Sequence, residues 1–174
     1  MARLKEIVTK AVITKYKKSS KEELIIDTDS NIDTVLGCWV INHNFMGQGS
    51  NGRVIVEGSF DINVWYAYDN NTKTNVLVRN FPYQEAVKLK PDLIFDNTNE
   101  IIVRSLKNPN VADVVIDGNK VILTTEKELG IEIVGDAKFR VNVEAEIDDY
   151  EEEVTVEEID INITEDYLNG VNQN

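Results

Sequence analysis

The segment Asp61–Thr74, with the sequence DINVWYAYDNNTKT, combines a strand pattern with a polar turn. Successive side chains of a strand point to opposite faces of its sheet, so the alternation divides this segment into two sets. The set predicted to face the core is Ile62, Val64, Tyr66 and Tyr68. The opposite set is Asn63, Trp65 and Ala67. The turn DNNTKT then predicts a hairpin to the next strand.

Similar strand patterns recur at short intervals along the chain, with polar turns between them. They are found in LGCWVINHNF (36–45), RVIVEGSFDINVWYAY (53–68), TNVLVRNF (74–81), ADVVIDGNKVILTTE (112–126) and AKFRVNVEAEI (137–147). Within the fourth of these, Asp117-Gly118 between β-branched runs predicts a tight hairpin turn. This spacing predicts a mainly β fold, either an antiparallel β-sandwich or an open barrel of hairpins.

The N-terminus carries two competing patterns. Leu4, Ile7, Val8 and Ala11 have the spacing of one face of a helix. The overlapping sequence AVITKY, at residues 11–16, is rich in β-branched residues, which favour a strand. We therefore expect a short N-terminal helix or strand.

Charge is unevenly distributed. The 174 residues carry a net charge of −13, yet residues 141–174 contain 12 of the 31 acidic residues and none of the 18 basic ones. We expect a β-rich assembly domain at residues 1–143 and an acidic interaction tail at residues 144–174. Apolar residues alternate with the acids, as in segments that order on a partner or add a strand to a sheet edge. The alternative is a disordered acidic tail in which the valines have no role. The tail residues predicted to contact partners are Tyr150, Val154, Val156, Ile159, Ile161, Ile163, Tyr167 and Leu168.

Composition argues against several classes of protein. No apolar run approaches the roughly 18 residues of a membrane helix, and the N-terminus lacks a secretory signal pattern, so we predict no membrane insertion. A near-neutral body with an acidic tail does not suit a nucleic-acid partner. The single cysteine, Cys38, excludes an internal disulfide framework and fits a reducing compartment.

Three short motifs resemble functional sites, but the residues around each motif argue against that function. GQGSNG, at residues 47–52, has the spacing of a dinucleotide loop but precedes a strand, so it predicts a hairpin loop instead. DTDSNID, at residues 27–33, begins like a calcium loop, but Ile32 stands where glycine is required. A Cys38/His43 pair would suit nucleophilic catalysis, but strand alternation places the two on opposite faces. We predict no catalytic residues, no cofactor and no metal site.

The candidate binding surface is therefore aromatic. We expect Trp65, Asn63 and Trp39 to contact another copy of the chain or a partner protein, because tryptophan is enriched at the energetic centres of interfaces. Trp39 shares its predicted strand face with Ile41, His43 and Phe45. The tyrosines and the Asn-rich turn beside Trp65 favour an alternative interpretation, a carbohydrate-binding β-sandwich module.

Four segments together resemble one known family. They are EIVTKAV (6–12), VLGCWVINHNF (35–45), VEGSFDINVWYAYDNNTKT (56–74) and EIIVRSLKNPN (100–110). Their letters, order and spacing are similar to those of CotE, the outer spore-coat morphogenetic protein family of endospore-forming bacteria. The resemblance covers about residues 5–145, and the acidic tail resembles the family in character.

The resemblance implies a non-enzymatic scaffold. Proteins of this family are made in the mother-cell cytoplasm and collect on the forespore surface as part of the spore coat. They self-associate as homo-oligomers, dock on a basement-layer coat protein and recruit outer-coat proteins. By similarity, the strand containing DINVWY belongs to the assembling body, and the acidic tail serves recruitment.

Overall fold

The computed structural model describes residues 3–93, 95–143 and 162–163. Within these ranges the regular structure consists of strands. The strands are β1 (Arg3–Asp27), β2 (Ile32–Ser50), β3 (Arg53–Tyr68), β4 (Lys73–Lys88), β5 (Glu100–Asp117), β6 (Lys120–Val143) and β7 (Asn162–Ile163). The predicted mainly β fold is confirmed. No helix among the described residues is long and apolar enough to cross a membrane.

The N-terminus is a strand from Arg3 onwards, so the strand alternative is the correct one. The helical spacing of its first apolar residues does not produce a helix, because β1 pairs with β6 along the edge of a sheet. Cross-strand pairing and the β-branched residues at 12–14 outweigh the weak intrinsic preference of a short segment for helix.

The strands form two antiparallel sheets. One has the order β1-β6-β5, with β7 also paired to β6, and the other has the order β2-β3-β4. The glycine-rich segment is a hairpin turn as predicted: Asn51 and Gly52 have φ values of 47° and 72° and join β2 to β3. Positive φ at both central residues matches the right-handed twist of the strands. β4 runs through Pro82, which an edge strand tolerates.

The larger of two compact units comprises Thr14–Lys90 and Ile101–Glu132. Within it, both sheets contribute to one hydrophobic core, so the sandwich alternative is correct and the open barrel is not. The buried core residues from β1 and β6 are Ile26, Val121 and Leu123. Those from β2 and β3 are Ile32, Phe60, Ile62, Val64 and Tyr66. This sandwich carries the candidate surface described below.

The smaller unit contains the described residues 3–13, 91–93, 95–100, 133–143 and 162–163. In it, Lys10 Nζ lies 3.8 Å from Glu100 Oε2, and Ile163 of β7 pairs with Val141 of β6. Of the predicted tail residues, only Ile163 is described. The others lie outside the described residues: Tyr150, Val154, Val156, Ile159, Ile161, Tyr167 and Leu168.

Candidate interaction surface

Nine residues form three cross-strand rows on the outer face of the β2-β3-β4 sheet, which we call the tryptophan face. The rows are Gly37, Trp65 and Val76; Trp39, Asn63 and Val78; and Ile41, Asp61 and Asn80. The intervening β3 residues, Ile62, Val64 and Tyr66, are buried in the core. Because side chains alternate along a strand, the three β3 members of the rows must point away from that core.

Large apolar side chains dominate the tryptophan face and remain open to solvent. The exposed fraction is 43% for Trp39, Ile41 and Trp65, 48% for Val76 and 50% for Val78. Single exposed apolar residues are common on soluble proteins, but a contiguous group is typical of an interaction site.

The two tryptophans converge above Gly37. A Cβ atom built on Gly37 would lie 3.5 Å from Cζ3 of Trp39 and 3.9 Å from Cε3 of Trp65. The missing side chain thus lets both indoles lie against the strand backbone. Two adjacent indoles supply a large, rigid contact area at little cost in side-chain entropy.

Asn63 occupies the centre of the tryptophan face. It is only 6% exposed, although its side chain points outward. Its Nδ2 is buried, and no hydrogen-bond partner for it is found among the described residues. A buried, unpaired amide N–H costs about 1–3 kcal/mol, so this position is unfavourable for the isolated sandwich.

Asp61 lies at one end of the tryptophan face, and its carboxylate has hydrogen-bond partners within the chain. Its two carboxylate oxygens accept hydrogen bonds from Asn42 Nδ2 at 2.8 Å and from Asn80 Nδ2 at 2.7 Å. These bonds, from Asn42 first and then Asn80, hold the pKa of Asp61 below its usual value. The carboxylate is therefore charged near neutral pH and already has protein partners.

A β-bulge at Asn42 changes which β2 residues face the core. Pairing passes from Ile41↔Asp61 to Asn44↔Ser59, and Asn42 has a φ of 54°. The extra residue reverses the alternation beyond it. His43 and Phe45 therefore do not share the face of Trp39 and Ile41, and the predicted continuation of that face is wrong. The prediction that Cys38 and His43 point to opposite faces is wrong for the same reason.

His43 instead belongs to a polar cluster inside the sandwich. Its Nε2 lies 2.7 Å from Tyr83 Oη, and its ring centroid lies 6.3 Å from that of buried Phe60. Lys127 Nζ lies 4.2 Å from the centre of the Tyr83 ring and 3.0 Å from Glu85 Oε1. The cluster links β2 and β4 of one sheet to β6 of the other.

Burial and neighbouring charges shift the pKa values in this cluster. Burial lowers the pKa of His43, and repulsion from Lys127 lowers it further. Burial raises the pKa of Tyr83 to about 12, with a contribution from the Glu85 charge. For Glu85, burial raises the pKa, but hydrogen bonds from Ser20 and Lys127 and the Lys127 and Lys18 charges outweigh it, so the net pKa is lowered. The cluster thus holds a neutral His43 beside a charged Lys127–Glu85 pair.

Burial favours the neutral forms of both Cys38 and His43. Burial raises the pKa of Cys38 to about 11, so its thiol is protonated near neutral pH and is a weak nucleophile. His43 is engaged by Tyr83. Among the residues that the structure describes, no three His, Cys, Asp or Glu side chains are grouped so as to hold a metal ion.

The outer face of the other sheet, which we call the charged face, has the opposite character. Acidic side chains of β6 lie between basic side chains of β1 and β5. The N–O distances in these ion pairs are 3.5 Å for Lys21–Glu126, 3.2 Å for Lys17–Glu128, 3.2 Å for Lys15–Glu132, 2.9 Å for Lys107–Glu126 and 3.8 Å for Arg104–Glu132. One outer face thus carries a patch of exposed apolar side chains, and the other carries a row of ion pairs.

The structure brings together all three residues predicted for the contact surface. Trp39 pairs directly with Asn63, and Trp65 lies next to them above Gly37. The β4 members of the tryptophan face, Val76 and Val78, were not among the residues predicted from the sequence. The sequence does contain the information needed to find them. A four-residue turn at residues 69–72 pairs Trp65 with Val76 and Asn63 with Val78. Trp65 is therefore part of a group rather than an isolated aromatic residue.

The described residues form a β-sandwich with a patch of exposed apolar side chains on the outer face of the β2-β3-β4 sheet. The family model of CotE, outer spore coat protein E, matches residues 3–174, so the chain belongs to the CotE family and is an outer spore coat protein. No curated protein and no solved structure is found to match it.

Proposed function

We propose that this chain is a non-enzymatic structural scaffold of the spore coat. In the proposal, it is made in the mother-cell cytoplasm, self-associates as a homo-oligomer on the forespore surface and docks on a basement-layer coat protein. It then recruits outer-coat proteins. Self-association is the step that the geometry supports best, and the tryptophan face is the observation that carries it.

The exposed apolar area of the tryptophan face favours self-association. Five large side chains lie together on one sheet face, each 43–50% exposed. Removing such surface from water yields roughly 25 cal/mol per Å², and aromatic anchors usually supply most of the affinity of a protein contact. A body of nearly balanced charge does not oppose association, because residues 1–140 contain 18 basic and 19 acidic residues.

The acidic tail is the proposed recruiting segment. With 12 carboxylates and no basic residue in residues 141–174, it attracts coat proteins that expose basic surface. Its interspersed apolar residues would supply short-range contacts, and multivalency would convert weak contacts into stable retention. The described pairing of Asn162 and Ile163 with β6 supports the view that the tail is able to add strands to a sheet.

Light scattering of the full chain over a range of concentrations tests self-association. The expected result is a molar mass that rises with concentration above that of the 19.7 kDa chain. A chain that stays monomeric at the highest soluble concentration contradicts the proposal. Because the driving contact is apolar, moderate salt should leave the assembly intact.

Recruitment is tested separately, with a variant that lacks residues 144–174. We expect the full chain to retain basic coat proteins in a pull-down and to lose them as salt rises, because screening weakens contacts made by carboxylates. The truncated variant should retain much less. Equal retention by both chains would show that the tail does not recruit.

Carbohydrate binding is the second candidate function. The observation that favours it is the pair of exposed indoles beside a polar group, Asp61 with Asn42 and Asn80. Of the aromatic residues that suggested this function, only Trp65 lies outside, since Tyr66 is 5% exposed and Tyr68 packs against the core. Binding to spore polysaccharide that is abolished in Trp65→Ala would establish it.

A further inference from the structure

In the smaller unit, β6 extends past the end of its neighbour β5. Asn99, which comes just before β5, lies beside Gly135: a Cβ atom built on that glycine would lie 2.6 Å from Asn99 Nδ2. β5 begins at Glu100, whereas β6 continues to Val143. We call residues 138–143 the β6 extension. A strand that outruns its neighbour presents backbone N–H and C=O groups that are able to pair with another segment.

The opposite edge of the β6 extension belongs to β1. Ile13 of β1 also lies against Gly135, because a Cβ atom on the glycine would collide with the Ile13 side chain. From Ile13 the strand runs back to Arg3, while β6 runs on to Val143, and the sheet order places β1 and β5 on opposite sides of β6. A further strand is therefore able to pair with the β6 extension on the side where β5 ends.

The strand β7, which belongs to the acidic tail, takes that position. Asn162 pairs with Asn142, and Ile163 pairs with Val141, in antiparallel register. Continuing the same register sets residues 161–166 opposite the whole of the β6 extension. It then brings the tail to the level at which β5 begins. Strands of about six residues are common in globular proteins, so the available edge is long enough for a complete strand.

The sequence of residues 161–166, INITED, suits this register. Directly opposed residues of an antiparallel pair share one face of the sheet. Ile163 is opposite Val141, which is only 3% exposed, so an apolar residue meets the apolar side of β6. Asp166 would be opposite Lys138, which is exposed. Opposite charges at such positions stabilise the pairing of two strands.

We propose that the β6 extension is the docking site for residues 161–166 of the same chain, which add a strand to the sheet beside the start of β5. This inference rests on the proposed recruiting role of the tail and specifies where the tail is held. A second copy offers the same residues, but the chain's own tail is tethered to β6 through residues 144–160. Such a short connection gives the tail an effective concentration of roughly a millimolar at its own β6.

Docking changes how the tail presents its charge. Of the 12 acidic residues in residues 141–174, 10 lie within residues 144–160. When residues 161–166 are docked, this acidic segment is a loop fixed at both ends instead of a free tail. A fixed loop has less conformational freedom to lose when a partner binds, so contact with a basic surface costs less entropy.

Paired cysteines test both the docking and its register, in full-length chains that also carry Cys38→Ala. Asn142→Cys with Asn162→Cys places thiols on directly opposed residues, whose Cα atoms are about 4.5–5.5 Å apart in antiparallel strands, a separation that a disulfide spans. Asn142→Cys with Thr155→Cys is the matched control, because Thr155 lies in the loop segment. A free tail would oxidise the two pairs at rates within about threefold of each other, since closure depends weakly on loop length. With docking, the first pair should oxidise at least about tenfold faster than the control.

Hydrogen exchange measures the docked strand without added thiols. Amides of residues 161–166 should exchange at least about tenfold more slowly in the full chain than in a free peptide of the same sequence. Ile163→Asp sets a charge opposite buried Val141 and should remove this protection. Thr155→Asp adds the same charge in the loop segment and should retain it. Unchanged exchange in β3 establishes that both variants are folded.

The outcomes separate this inference from the proposed function. Equal oxidation of the two cysteine pairs, or exchange of residues 161–166 at the rate of the free peptide, would overturn the docking and leave recruitment by a free acidic tail in place. Disulfides that join two chains, with protection that falls on dilution, would overturn it in favour of a strand exchanged between copies. Fast oxidation within one chain that retains no basic coat protein would establish the docking and overturn the recruiting role.

Discussion

Lys127 Nζ lies 3.0 Å from Glu85 Oε1 inside the sandwich, and the two side chains are only 5% and 10% exposed. The pair joins β6 of one sheet to β4 of the other. Removing one partner from a buried ion pair typically costs about 3–5 kcal/mol, and without Lys127 the Glu85 carboxylate would keep only its hydrogen bond from Ser20 and the more exposed Lys18 at 3.9 Å. We therefore expect Lys127→Met to lower the free energy of unfolding by about 3 kcal/mol, measured by urea denaturation.

A surface pair provides the control. Lys73 and Asp69 lie 3.1 Å apart but are 61% and 56% exposed, so Lys73→Met should cost less than about 1 kcal/mol. The double variant Lys127→Met/Glu85→Met should recover much of the loss, because well-packed apolar residues often replace a buried pair without penalty. A double variant as unstable as the sum of the single changes would show that the two charges act independently.

The pH dependence of the free energy of unfolding should show the lowered pKa of His43. Its pKa in the folded chain lies below the ordinary value of 6.5, because burial and then Lys127 disfavour the charged ring. Below pH 6.5 the unfolded chain binds a proton that the folded chain does not. The free energy of unfolding therefore decreases as the pH is lowered, until the pKa of His43 in the folded chain is reached. The slope from one such group is at most about 1.4 kcal/mol per pH unit.

His43→Gln isolates this effect, because glutamine keeps a polar group near Tyr83 but does not titrate. We expect the unfolding free energy of the wild-type chain to fall from pH 6.5 towards pH 5, and that of the variant to fall less steeply. The measurements stay above pH 4.5, the ordinary pKa of Glu85. The pKa of Glu85 is lowered in the folded chain, so the stability that this carboxylate contributes is lost only at more acidic pH. Parallel curves for the two chains would exclude His43 as the source.

Local patterns in the sequence were sufficient to predict most residues of the tryptophan face. The alternation in DINVWYAY separates Trp65 and Asn63 from the core residues, and the turn that follows sets the pairing with β4. Lys127 also falls on the core face of its strand by alternation, between Thr125 and Leu129. Its partner Glu85 is distant in the chain, so only the packing of the two sheets shows that they meet.

The bulge at Asn42 was beyond prediction from the sequence. Asparagine tolerates positive φ better than most residues, but an asparagine within a strand pattern gives no indication that a bulge is present. The single extra residue moved His43 and Phe45 to the core side and linked Asn42 to Asp61. The N-terminal helix pattern failed for a related reason, since β1 is stabilised by its pairing with distant β6.

Glycine at position 58 is required by close approach rather than by a special backbone angle. A Cβ atom there would lie 2.5 Å from Cζ and Oη of Tyr83 and 2.6 Å from the Asn44 carbonyl oxygen. Because backbone on one side and a hydrogen-bonded ring on the other cannot both yield, Gly58→Ala should destabilise the chain by about 2 kcal/mol. Gly37→Ala meets its neighbours at ordinary van der Waals distance and should be nearly neutral by the same thermal or urea measurement.

Asn63 is expected to reduce the stability of the isolated chain. Replacing an amide that has an unpaired buried N–H by valine removes that penalty, so Asn63→Val should raise the unfolding free energy by about 1 kcal/mol at concentrations where the chain is monomeric. Asn80→Val is the control, because Asn80 donates a 2.7 Å hydrogen bond to Asp61 and its loss should destabilise. If both variants lose stability equally, Asn63 has a partner within its own chain.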